Sequence, residues 1–195
     1  MVSGKDVRDF GSKNAGLTNV YRCFGKTAAA LTLILDFLKG IIVIIASRIP
    51  FIVGIISDID YDKLSISMIA ALFAIIGHSF PIFYQFKGGK GILIAGVCML
   101  ATDPIVFIFE AVLFFSLVGI TKYISVGSIA CCIGYPIFTL IWQIISVNVF
   151  DANYYMITAH VIIALLIGVL CFVRHLPNVK RLINHEENKF KIRKD

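Results

Sequence analysis

The sequence predicts an all-α protein, a polytopic transmembrane helical bundle with about six membrane segments and both termini in the cytoplasm. Two observations lead to that prediction. The 195 residues are 58% hydrophobic and 15% charged, whereas a soluble domain is about 45–50% apolar and about a quarter charged. The apolar residues also form long runs, and most basic residues lie between those runs. One soluble core could not bury this much apolar surface, so lipid must cover part of it.

Six apolar segments follow a polar, glycine-rich stretch of 25 residues that does not resemble a cleavable signal peptide. A helix that crosses a bilayer needs about 20 mostly apolar residues. In chain order the segments are 26–48, 65–83, 91–102, 104–120, 124–147 and 154–173. We expect residues 1–195 to form a single integral-membrane domain, in which 174–195 is a basic cytoplasmic C-terminal tail.

The third segment, 91–102, is too short to cross a bilayer of normal thickness alone. Asp103 and Pro104 separate it from the fourth, because proline disfavours helix in the residue before it. The alternative is a single kinked span from 91 to 120, which would give five spans.

The distribution of charge decides between five and six spans. With six, all but three of the 18 Lys and Arg residues share one side; Lys39 lies within a segment, and Arg48 and Lys63 lie on the opposite side. That opposite side also carries Asp58, Asp60, Asp62, Asp103 and Asp151. Five spans would place every basic residue from Arg174 onward on the outer side of the membrane. The positive-inside rule therefore favours six crossings, with both termini cytoplasmic.

The first polar cluster, Gly11 to Arg22, lies just before a membrane segment on the expected cytoplasmic side. It combines glycines with Ser12, Asn14, Thr18, Asn19 and Arg22. Backbone N–H groups beside glycine, hydroxyl groups and a guanidinium together suit an anion. A helix cap that follows a turn is an equally good explanation.

The second cluster runs from Gly77 to Gly91 and contains the stretch Lys87-Gly88-Gly89-Lys90-Gly91. Glycines let a phosphate approach the backbone, and a helix N-terminus attracts negative charge. The stretch is not a Walker A motif, since no Ser or Thr follows Lys90. A tight basic turn between two spans is the alternative.

The third cluster begins at the end of the last segment. Arg174, His175, Asn178 and Arg181 recur at spacings of three and four, so they lie near one another if that segment continues as helix. Together the three clusters supply cations, amides, hydroxyls and one His. They contain no carboxylate pair and no set of metal ligands. This chemistry favours the binding of phosphate groups at the membrane surface. Membrane topology explains the basic residues, so we do not expect nucleic acid as a partner.

Other polar residues lie inside the apolar segments. Asp36 and Lys39 are three residues apart and share a helix face, so we expect a mutually neutralising pair. Glu110 is expected to face the protein interior. The five cysteines have no C-x-x-C spacing, and we expect neither a metal site nor a disulfide.

The three clusters resemble, in order, the motifs of the PlsY family, the acyl-phosphate-dependent glycerol-3-phosphate acyltransferases of bacteria. The matching residues are Gly11-Ser12-x-Asn14-x-Gly16-x-Thr18-Asn19 with Arg22, then Gly77-His78-x-Phe80-Pro81 with Phe86 to Gly91, then Arg174-His175-x-x-Asn178-Val179-x-Arg181-Leu182 with Glu187. The resemblance covers essentially the whole chain. Family members usually have seven spans, and the additional first helix is expected to be absent here. His185 also stands where the family usually has glycine.

The resemblance implies transfer of an acyl group from acyl phosphate to glycerol 3-phosphate, which yields lysophosphatidic acid and inorganic phosphate. It implies a catalytic set, which is Ser12, Arg22, Lys90, His175 and Asn178. It also implies substrate contacts, which are Asn14, Thr18, Asn19, His78, Lys87, Gly88, Gly89, Gly91, Arg181 and Glu187. Gly88, Gly89 and Gly91 would admit phosphate to the backbone.

The resemblance further implies no cofactor and no metal, a location in the bacterial plasma membrane, and an active site on the cytoplasmic side. Membrane lipid would surround the protein, and an enzyme that forms acyl phosphate could act upstream. The competing hypothesis is a transporter or channel for a small organic phosphate, which the charged residues inside the segments would suit.

Overall fold

The computed structural model describes residues 4–52, 63–150 and 155–190. These residues form six α-helices, with 3₁₀ turns at Val7–Asp9 and Ile82–Tyr84. The α-helices are α1 (Leu17–Ile52), α2 (Lys63–Ser79), α3 (Ile92–Thr102), α4 (Pro104–Thr121), α5 (Ile124–Phe150) and α6 (Tyr155–Ile183). Asp58, Asp60, Asp62, Asp151, Lys191, Arg193 and Lys194, which the topology prediction uses, lie outside the described residues.

Five of these helices are long and apolar enough to cross a membrane, and α3 is a shorter apolar helix of 11 residues. Each long helix exposes large apolar side chains, for example Leu35, Phe73, Phe115, Ile133 and Val169. Such a surface suits contact with lipid. The all-helical membrane fold that the sequence predicts is therefore confirmed.

Asp103 and Pro104 separate α3 from α4, as predicted. The Asp103 carboxylate accepts a hydrogen bond from the Val106 N–H at 3.2 Å and caps α4, and Pro104 occupies the first turn. Proline is well suited to that position because it has no N–H to satisfy. The chain therefore forms two helices here, and not one kinked helix from 91 to 120.

The ends of α2 and α6 differ from the predicted ones for local reasons. α2 ends at Ser79 instead of residue 83, because Pro81 disfavours helix at the residue before it. α6 continues ten residues past the predicted end to Ile183, so the third polar cluster lies on a helix. The polar character of that last stretch concealed its helical conformation.

α1 begins at Leu17 instead of residue 26, and Gly25 interrupts it. Gly25 has φ 84° and ψ −172°, a conformation that is essentially restricted to glycine. The break allows the segment before it to fold back, so that Val20 packs with Ala28 and Ala29. The break therefore sets the direction of the short helical segment that carries Arg22.

The chain divides into two compact units, Met1–Ala101 and Thr102–Asp195. In the first unit α1 packs against α2, and the Arg48 guanidinium donates to the Ala101 carbonyl at the end of α3, at 3.0 Å. In the second unit α5 packs against both α4 and α6. A Cβ at Gly168 in α6 would collide with the Cys132 carbonyl in α5, so a residue without a side chain permits this close helix contact.

Candidate functional site

The first cluster folds around the side chain of Asn19, which is buried near the start of α1. The Asn19 amide donates to the carbonyls of Phe10 and Asn14, each at 3.0 Å. Its Oδ1 accepts from the Ser12 N–H at 2.9 Å. These bonds engage both ends of the amide, so we assign Asn19 to shaping the loop, where the sequence predicts a substrate contact.

The loop before α1 turns tightly at Gly11, which has φ 57°. A Cβ there would collide with the Asn19 Oδ1. Ser12 is exposed at this turn, although its backbone is held by Asn19. Ser12 is thus an exposed residue on a loop whose backbone the buried Asn19 side chain holds in place.

The remaining residues of the first cluster lie close to the N-terminus of α1. Asn14 and Thr18 are half-buried, and the Asn14 side chain lies over Gly16, where a Cβ would be 2.8 Å from its Nδ2. Thr18 and Arg22 are four residues apart on α1 and share a face. Hydroxyl, amide and guanidinium groups therefore surround a helix N-terminus, which favours negative charge.

The second cluster closes the loop between α2 and α3. The N–H groups of Gly88 and Gly89 donate to the carbonyls of Ser79 and His78, both at 3.2 Å. A Cβ at Gly88 would collide with the His78 carbonyl, and one at Gly89 would collide with the His78 ring. The N–H groups of the two glycines thus close the loop in this structure, and contact of these residues with phosphate stays a prediction.

Lys90 is half-buried and follows this closed loop directly. Gly91, with φ 80°, makes the turn into α3, and its carbonyl accepts the first bond of that helix from the Ala95 N–H. Lys90 thus lies next to a helix N-terminus, where its ammonium and the helix dipole both attract an anion. Lys87, by contrast, is exposed on the loop.

The segment before the first cluster contacts this loop. The Arg8 guanidinium lies 4.1 Å from the centre of the Tyr84 ring and 2.9 Å from the Asp6 carboxylate. The hydrogen bond from the Arg8 N–H lowers the pKa of Asp6 below its ordinary value. An open polar depression of about 280 Å³ lies here, and the predicted site residue that lines it is Lys87. We therefore do not take this depression as the reaction site.

The third cluster lies on α6, where His175 and Asn178 are both buried. The Nδ1 atom of His175 lies 2.8 Å from the Cys171 carbonyl. A carbonyl can only accept, so this contact fixes the hydrogen on Nδ1 and leaves the lone pair of the neutral ring on Nε2. Sequence reasoning missed Cys132, whose thiol interacts with His175 from α5, since no spacing in the chain relates the two.

The chain after α6 folds back onto the same cluster. Glu187 Oε2 accepts from Asn178 Nδ2 at 3.2 Å and from Arg181 Nε at 2.8 Å, and the Glu187 side chain is 5% exposed. The Phe190 N–H then donates to the Lys122 carbonyl at 2.7 Å. Glu187 thus links Asn178 to Arg181 in this structure, and contact of Glu187 and Arg181 with substrate stays a prediction.

Two predictions about residues inside the helices are also resolved. Lys39 Nζ lies 3.0 Å from Asp36 Oδ1, which confirms the predicted pair. Glu110 is buried, as predicted, and a Cβ at Gly134 would lie 2.5 Å from its Oε1. Among the described residues, His, Cys, Asp and Glu form no group of three that could hold a metal ion.

This chain has relatives among known protein families and solved structures. The family model for glycerol-3-phosphate acyltransferase matches residues 1–185. The glycerol-3-phosphate acyltransferase of Macrococcus caseolyticus is 37% identical over 97% of this chain and 86% of its own length. That of Bacillus subtilis is 34% identical over 98% of this chain and 86% of its own.

Two solved structures are similar throughout the chain. The crystal structure of PlsY, an integral membrane glycerol 3-phosphate acyltransferase, in its glycerol 3-phosphate form superposes with a TM-score of 0.74 at 32% identity, and the match covers 97% of this chain and 84% of that one. The lysophosphatidic acid form of PlsY gives a TM-score of 0.68 at 32% identity, over 93% and 82%.

Proposed function

Because the chain belongs to the glycerol-3-phosphate acyltransferase family, it acylates glycerol 3-phosphate to lysophosphatidic acid, and we propose that acyl phosphate is the donor. We further propose that the reaction takes place at the cytoplasmic face of the bacterial plasma membrane. The observation that supports the donor most directly is the position of Lys90, half-buried at the N-terminus of α3. Such a position suits a phosphate group.

The chemistry of an acyl phosphate matches what these residues offer. An acyl phosphate is a mixed anhydride, so its carbonyl is already activated and its phosphate leaves readily. The enzyme has to hold two phosphates, align the alcohol and stabilise developing charge. Cations, amides and hydroxyls can do this without a nucleophilic side chain or a cofactor.

In the proposed reaction the first hydroxyl oxygen of glycerol 3-phosphate attacks the carbonyl carbon. A new C–O bond forms, the bond from that carbon to the phosphate oxygen breaks, and the hydroxyl proton ends on the departing phosphate. Arg22 and Lys90 hold phosphate. The Nε2 lone pair of His175 accepts the hydrogen bond of the attacking hydroxyl, since Nδ1 already donates to the Cys171 carbonyl.

Ser12 and Asn178 position the reacting groups. Ser12 is exposed on a loop that Asn19 holds, and the amide of Asn178 is held by Glu187. Rigid support of this kind lowers the cost of orienting a substrate. Asn14, Thr18 and His78 complete the polar surroundings, and Lys87 adds positive charge at the membrane surface.

The first test supplies the purified protein, in a lipidic environment, with palmitoyl phosphate and glycerol 3-phosphate. Release of inorganic phosphate should depend on glycerol 3-phosphate. Lys90→Ala and His175→Ala should each lower kcat/KM by about a hundredfold or more. Lys5→Ala, which removes an exposed lysine outside the motifs, should leave it unchanged.

Palmitoyl coenzyme A, run as a parallel donor, separates the two parts of the proposal. Turnover with palmitoyl coenzyme A and none with palmitoyl phosphate would contradict acyl phosphate as the donor. It would still agree with acylation of glycerol 3-phosphate. Full activity of Lys90→Ala would instead show that the proposed phosphate site is wrong.

A further inference from the structure

Asp36 carries a buried carboxylate on α1 that the mechanism above does not use. It is 5% exposed, and a single oxygen, Oδ1, lies 3.0 Å from Lys39 Nζ and 3.8 Å from His78 Nδ1. The Lys39 side chain is 58% exposed and that of His78 is 13% exposed. The contact with Lys39 is therefore open to water, whereas the contact with the His78 ring is largely shielded from it.

His78 connects this carboxylate to the loop that precedes Lys90. Its carbonyl accepts the Gly89 N–H at 3.2 Å, and its ring occupies the place where a side chain at residue 89 would lie. A Cβ on Gly89 would strike Nε2 and would lie 2.9 Å from Cε1 and 3.0 Å from Cδ2. The imidazole thus supports the backbone of Gly89 from one edge while Asp36 faces the other.

We propose that Asp36 is a positioning residue, which acts through the His78 ring to fix the backbone from which Lys90 extends. The inference rests on the assignment of Lys90 to phosphate binding. Gly89 and Lys90 share a peptide bond, so a displaced ring moves Lys90 directly. A small displacement of a phosphate-binding group is expected to weaken binding of that substrate more than it slows the chemical step.

The test compares Asp36→Asn, His78→Asn and the double variant with the unmodified enzyme. Asp36→Asn and His78→Asn should each raise KM for one phosphate-bearing substrate by roughly three- to thirtyfold, the range expected when contacting residues are uncoupled. The value of kcat and the unfolding temperature should change little. The double variant should be no worse than the larger single effect, because both changes break the same connection.

Lys39→Met is the matched control, since Lys39 touches the same carboxylate oxygen but does not reach the loop. It should leave both KM values unchanged. Lys90→Arg should raise KM for the same substrate that Asp36→Asn affects. An unchanged KM in Asp36→Asn, or effects of Asp36→Asn and His78→Asn that multiply, would overturn the proposal.

If Asp36→Asn does not fold, a second pair of variants tests whether the His78 ring supports the backbone of Gly89. Gly89→Ala should impair binding because its Cβ meets the His78 ring, and adding His78→Ala should restore part of the loss by making room. No recovery in that double variant would refute the support of the loop by the ring. If the unmodified enzyme does not use acyl phosphate, the donor proposal fails by itself, and the series is run with the donor that it does use.

Discussion

His185 lies just past the end of α6, in the turn that closes this helix. The N–H groups of Glu186 and His185 donate to the carbonyls of Arg181 and Leu182, at 2.8 Å and 3.2 Å. This pattern closes a helix when the residue at the turn is left-handed, and His185 has φ 58°. Glycine adopts that conformation at little cost, whereas a residue with a Cβ is strained there.

We therefore predict that His185→Gly stabilises the protein. His185 is exposed, so little packing is lost, and the gain should be about 0.5–1 kcal/mol. For a chain of this size that raises Tm by about 1–4 °C. Thermal unfolding in one detergent measures the change.

His185→Ala is the matched control because it removes the imidazole but keeps the Cβ. It should give no comparable gain. Equal stabilisation by alanine and glycine would mean that the imidazole, and not the backbone conformation, is the source of strain.

At the scale of elements, the break at Gly25 gives α1 two parts with separate tasks. The part after the break supplies an apolar surface, and the part before it carries Thr18, Asn19 and Arg22. Among the residues that the structure describes, nothing beyond the adjacent backbone lies within 4 Å of a Cβ built on Gly25. The glycine is therefore required by its backbone conformation and not by lack of space.

We predict that Gly25→Ala destabilises the protein by about 1–3 kcal/mol, the cost of a strained backbone position. Because Arg22 moves with the preceding segment, kcat/KM should also fall, by about tenfold or more. Thermal unfolding and steady-state kinetics measure the two effects.

Gly119→Ala provides the control for that substitution. Gly119 lies within α4, and a Cβ there also meets nothing within 4 Å. Because its backbone is helical, alanine should be neutral or stabilising. If Gly25→Ala behaves like Gly119→Ala, the break in α1 does not depend on glycine.

The sequence predicts some helix boundaries well and does not predict contacts between helices. The sequence predicts α4 to within one residue, because the Asp103-Pro104 pair marks its start and the length of the apolar run marks its end. The apolar runs miss the start of α1 and the end of α6, where polar residues lie on helix. The contacts of Asp36 with His78 and of Cys132 with His175 join different helices. Such contacts depend on how helices are rotated against each other, which one sequence does not reveal.

At the scale of the whole molecule, charge gives the expected orientation. Six crossings put the N-terminal stretch and the basic residues from Arg174 onward on the cytoplasmic side, in accord with the positive-inside rule. That orientation and the single-domain organisation of residues 1–195 stay predictions. The all-helical fold and its relation to the acyltransferases are confirmed.

We predict that a protease added to inverted membrane vesicles removes an epitope placed after Asp195, and that the same protease added to spheroplasts does not. A cleavage site inserted after Asp60 should show the opposite pattern, because six crossings place the residues between the first two segments on the outer side. Cutting of the epitope in spheroplasts would contradict the proposed orientation.

The stretch from Glu187 to Phe190 limits how far this chain can be shortened. Glu187 neutralises Arg181 and holds Asn178 from a position beyond the last helix, and the Phe190 N–H ties the same stretch to Lys122. A stop codon that removed only the residues from Glu187 onward would spare the helices α1 to α6, yet it would leave a buried amide and a half-buried guanidinium without their carboxylate. Loss of Glu187 is therefore expected to act like a substitution in a protein core, because its buried carboxylate bonds to both Arg181 and Asn178.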